Sequence, residues 1–162
     1  MENKEHIKKV YTEKTINLLK ICLGLSVFSL CTYLVGIFLY QSFDFGCIFE
    51  MISFVFVLLA YLNVQKNTWQ TSKRNVIIAM LPLGWLLVYD FIYLLIHLDE
   101  VLPEIVGYYT SFDQYFYYLG PYLFDFTLIA SLFLLYKVYS SLCIVDGTRK
   151  DNSFTDTFYD TL

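Results

Sequence analysis

The stretch Val76–Leu98 reads VIIAMLPLGWLLVYDFIYLLIHL: 23 residues, no Lys or Arg, and only Asp90 and His97 to carry charge near neutral pH. About 20 apolar residues wound as an α-helix cross the ~30 Å hydrocarbon core of a bilayer. Soluble cores rarely need so long a run. Three more stretches of this chain share its length and character. The sequence therefore reads as an all-α membrane protein, a four-transmembrane-helix bundle with spans at about 17–40, 46–65, 76–98 and 112–141. A charged segment (1–16) precedes the four-span domain (17–141), and a tail (142–162) follows it.

Working outward, the composition agrees. The 162 residues are 57% hydrophobic and only 16% charged, with a mean hydropathy of +0.54. Soluble domains carry about 25% charged residues. The first span could be mistaken for a signal peptide. Its uncharged run Ile21–Phe43, however, far exceeds a 7–15-residue signal core, and no A-x-A site follows, so it reads as retained. Ile7, Val10, Tyr11 and Leu18 fall near helical spacing and allow a short interfacial helix ahead of it.

Orientation comes from counting Lys and Arg. Five lie before Ile21 (Lys4, Lys8, Lys9, Lys14, Lys20). Three lie in the polar loop read at 66–75 (Lys66, Lys73, Arg74), and three from Lys137 onward. Residues 41–45 and 99–114 have none. The positive-inside bias therefore places both termini and the middle loop in the cytoplasm of a cell-membrane protein. The same three-way split leaves no basic stripe, so nucleic acid is not an expected partner. The bilayer is.

Two prolines fall inside spans. Pro82 removes the backbone bond to Ile78 and Pro121 the bond to Tyr117, so kinks are expected in the third and fourth spans. Ser111 followed by Gln114 matches a capping box and starts the fourth span near Phe112. In the tail, Phe154, Phe158 and Leu162 have helical spacing, although a polar chain end is the plainer reading.

The chemistry is concentrated in three acids read inside the membrane: Glu50, Asp90 and Asp125. An acid at mid-membrane costs ~2.5–3.5 kcal/mol on insertion scales. Asp90, Tyr93 and His97 form one helical stripe. Tyr118, Tyr122 and Asp125 form another, and Glu50, Ser53, Val57 and Tyr61 a third. Ser26, Ser29, Thr32 and Tyr33 are what the first span offers at comparable depth. If the stripes meet, they line an acidic, tyrosine-rich cleft open to the outside that binds a proton, a metal cation or a cationic solute. The competing reading is a structural or regulatory subunit, in which each acid makes an interhelical hydrogen bond or meets a partner protein.

Enzyme readings find no support. There is no G-x-S-x-G, no H-E-x-x-H and no glycine-rich phosphate loop. Cys22, Cys31, Cys47 and Cys143 contain no C-x-x-C, and they read as small apolar side chains. No cofactor is expected beyond a possible metal cation.

Overall fold

The computed structural model describes residues 2–40, 45–96 and 112–147, with side chains placed at 6–35, 37–38, 45–93, 95–96 and 126–147. These residues are all-helical. Four helices form in chain order: α1 (Glu2–Tyr40), α2 (Gly46–Gln65), α3 (Trp69–Ile96) and α4 (Phe112–Val145). Each is long and apolar enough to cross a membrane. They make a ring in which α1 packs on α2 and α4, and α3 packs on α2 and α4.

The packing follows from an alternation of three and four residues, which keeps one face of each helix turned inward. Tyr11, Thr15, Leu19, Cys22, Ser26 and Ser29 are the buried stripe of α1. On α2 the stripe is Cys47, Glu50, Ser53, Val57, Ala60 and Val64. On α3 it is Ser72, Val76, Ala79, Leu83 and Leu86, and on α4 Leu128, Ser131, Leu135, Val138, Leu142 and Val145. Many of these residues are small or hydroxylated. Leucines such as Leu19, Leu83, Leu128, Leu135 and Leu142 fill the rest of the interior, while Leu81, Trp85, Phe91 and Phe126 on the outer faces are each at least 60% exposed. In water that distribution would leave a greasy surface. In lipid the outer face needs only to be apolar, and small interior residues let helices approach closely.

The link between α2 and α3 is three residues, 66–68, and not the ten-residue loop read from the sequence. Asn67 takes a left-handed conformation (φ 58°). The Thr68 N–H then donates to the Asn63 carbonyl (2.9 Å) and the Asn67 N–H to the Val64 carbonyl (3.0 Å). This pair of reversed bonds is the Schellman arrangement that ends a helix, with Asn in the position glycine usually holds. The Thr68 carbonyl accepts from Ser72 N–H (3.0 Å), so α3 begins at once. Lys73 and Arg74 therefore sit on α3. Helix α4 also runs past the expected Ser141 to Val145, where Gly147 (φ 72°) ends it.

Two polar links tie neighbours together near the basic end. Ser72 Oγ donates to the Ala60 carbonyl (3.2 Å), joining α3 to α2. Lys73 Nζ donates to Asp146 Oδ2, joining the start of α3 to the end of α4. Helix α1 is much longer than its neighbours. Its 39 residues rise about 58 Å, against about 30 Å for the 20 residues of α2. The charged N-terminal segment is thus one continuous helix with the first span, and Ile7 and Tyr11 still pack on the core.

Candidate functional site

Among the described residues, the fully buried acid is Glu50. It lies one turn into α2, on the buried stripe, and is 3% exposed. Its partner comes from α1: Ser29 Oγ donates to Glu50 Oε1 at 3.1 Å, and both side chains are buried. The sequence places Ser29 at the right depth, but nothing in one helix says which way a neighbour is turned. One turn farther along α2, Ser53 is fully buried, and its hydroxyl has no hydrogen-bond partner among the described residues. Tyr61, expected on the same face, is displaced by Ala60 and packs half-buried beside it.

Asp90 sits elsewhere. Spacing from Leu86 makes it the next position of the α3 stripe, and it is half-buried there. The Ser72–Ala60 bond sets the relative height of α2 and α3. Ten residues separate Ala60 from Glu50 and eighteen separate Ser72 from Asp90, so Asp90 stands about 12 Å farther from the basic end. The two acids are on different levels of the bundle. Tyr93, read as Asp90's stripe partner, is 52% exposed. Tyr118, Tyr122 and Asp125 belong to α4, but their side chains lie outside the described residues, as does His97. Counting from Lys73–Asp146, the α4 backbone at 125 is about four residues farther out than Asp90, or ~6 Å. Pro82 and Pro121 both fall inside uninterrupted helix.

Lys137 lies eight residues before the end of α4, within the apolar stretch Phe126–Val145. It is half-buried, with Nζ 4.7 Å from the centroid of the Phe133 ring. A cation at this depth is tolerated when it lies on an aromatic face.

Among the described residues, no three His, Cys, Asp or Glu side chains come together as a metal site. None of the four cysteines is in a disulfide, and Cys22 and Cys47 are buried. A groove of about 720 Å³ between α3 and α4 is lined by Gly84, Trp85, Leu132 and Tyr136 among others, and includes neither Glu50 nor Asp90. Its walls are apolar, as befits contact with acyl chains. Comparison with protein-family models, with curated proteins and with solved structures finds no match to this chain.

Proposed function

We propose that this is a small, non-enzymatic, multi-pass protein of the cell membrane, both termini cytoplasmic, that takes up a proton or small cation from the outer side between α3 and α4. Asp90 and Asp125 are the acids of that site, and Tyr93, His97, Tyr118 and Tyr122 are its candidate lining. The observation that carries the reading is the place of Asp90. It continues the buried stripe of α3, on a helix that packs directly against α4. At the height of Asp90, past the outer end of α2, a carboxylate meets water and cations arriving from the outer side. Kinks at Pro82 and Pro121 would part the outer halves of the two helices and admit water.

Glu50 has a different part in this proposal. Its bond from Ser29 favours the second reading, an acid that fixes helix packing, for Glu50. The chain then has one packing acid a turn inside the outer end of α2 and a pair of acids farther out.

The test is Asp90→Asn and Asp125→Asn in full-length protein reconstituted into liposomes loaded with a pH-sensitive or cation-sensitive dye. Both variants are expected to stay folded, with an unchanged melting temperature, and to lose the response of the parent. Loss of the folded protein in both variants would transfer the packing role to all three acids and leave a structural subunit.

A further inference from the structure

We propose that the groove beside the α2–α3 turn binds the phosphate of an anionic glycerophospholipid headgroup. The groove is lined by Lys8, Lys9, Thr12 and Glu13 of α1 and by Asn67 and Trp69 of the turn, and holds about 360 Å³. It is independent of the cation site, which lies toward the opposite end of the bundle.

Three observations meet here. The first is depth. Helix α2 has the 20 residues that just span the hydrocarbon, and it ends at Gln65. Asn67 and Trp69 follow within a turn, so the groove opens in the headgroup layer. The second is charge. Lys8 and Lys9 outnumber the single acid, Glu13, and Lys66 precedes Asn67 in the chain. A basic recess between membrane helices at this level is what headgroup phosphates occupy. The third is preorganisation. Lys8 Nζ lies 5.7 Å from the centroid of the Trp69 ring, and Trp69 is itself 9% exposed and packed into the core. The ammonium is thus held over a fixed aromatic wall beside the groove, and less of its freedom is lost when a phosphate arrives. Thr12 uses its hydroxyl on the Lys8 carbonyl (2.7 Å), which stiffens the same turn of α1.

The depth also selects the source of the phosphate. A soluble phosphate ester would have to enter a layer already crowded with lipid headgroups. A phospholipid presents its phosphate there, with its acyl chains running down the apolar faces of α1 and α2.

The chain contains two tryptophans, so Trp85→Phe leaves Trp69 as the sole tryptophan, excited selectively over the tyrosines at the red edge of the absorption band. Full-length protein of this background is placed in phosphatidylcholine nanodiscs with increasing phosphatidylglycerol, and Trp69 emission is followed. A saturable shift is expected with phosphatidylglycerol and none with phosphatidylcholine alone. Lys8→Gln with Lys9→Gln should raise the half-saturating phosphatidylglycerol fraction by on the order of tenfold. Lys14→Gln with Lys20→Gln removes equal charge from α1 outside the groove and should raise it far less. Should the first pair fail to fold, Lys9→Glu alone, at an exposed position, gives the same comparison. Equal shifts from the two pairs would reduce the site to diffuse attraction and overturn it. Displacement by millimolar glycerol phosphate would assign the groove to a soluble ligand and overturn the lipid assignment.

Discussion

At the scale of single residues, Ser29 and Glu50 are the most informative pair, because each explains the other's burial. A carboxyl oxygen 3.1 Å from a neighbouring helix's hydroxyl, both out of contact with solvent, trades two desolvated groups for one interhelical bond. In membranes such bonds average about 0.6 kcal/mol, since the separated helices also find partners. Ser29→Ala should therefore lower stability by about that amount in equilibrium unfolding from mixed micelles. Glu50→Gln keeps an acceptor oxygen and removes the ionisable proton, so it should cost no more than Ser29→Ala. A Glu50→Gln loss well above the Ser29→Ala loss would show that the interior needs the acid itself, and would move Glu50 from packing into ion binding.

At the scale of elements, the α2–α3 turn shows what a hydropathy reading sees and what it misses. Hydropathy sets the second span at 46–65, the bounds of α2, because composition changes sharply at Phe45 and again at Lys66. It starts the third span at Val76, seven residues late. Residues 69–75 are polar, yet Ser72 and Asn75 turn inward and the helix needs no hydrophobicity to run through them. The real boundary is the left-handed Asn67, a backbone event with no hydropathy signature. Glu50 was legible for the same reason as the spans, since one acid in an apolar run stands out. Its link to Ser29 was not, because the rotation of α1 against α2 is a tertiary fact. Asn67 provides the check. Asn67→Gly should leave the melting temperature unchanged or raised, since glycine takes a positive φ freely. Asn67→Val should cost roughly 1–2 kcal/mol, because its branched Cβ opposes that conformation. Equal stability of the two variants would mean that the turn is not left-handed.

At the scale of the whole molecule, side chains and charges are sorted along two axes. Across the bundle, the hydroxylated residues Thr15, Ser26, Ser29, Ser53, Ser72, Ser131 and Ser141 are inside among leucines and valines, and the outer faces carry exposed large apolar side chains, which suits a lipid solvent. Along it, Lys8, Lys9, Lys66, Lys73 and Arg74 gather at the end that holds the α2–α3 turn, while Asp44, Asp99, Glu100 and Glu104 belong by sequence to the links at the other end and Asp113 to the first turn of α4. A translocating chain retains its Lys- and Arg-rich links on the cytoplasmic side. The asymmetry predicts that a thiol at the basic end reacts only from the cytoplasm and one in the first link only from outside. The native Cys47 is a poor reporter, being 6% exposed, and Cys143 is half-buried. Two single-cysteine variants in a background with all four native cysteines replaced by Ala serve better: Glu13→Cys, at an exposed position of α1, and Asp44→Cys, in the 41–45 link. In intact cells a membrane-impermeant maleimide should label Asp44→Cys and spare Glu13→Cys, with the second site labelled only after lysis. The reverse pattern would put the acids on the cytoplasmic side. The proposed uptake would then face inward, and the lipid groove would lie in the outer leaflet, where anionic headgroups are scarce.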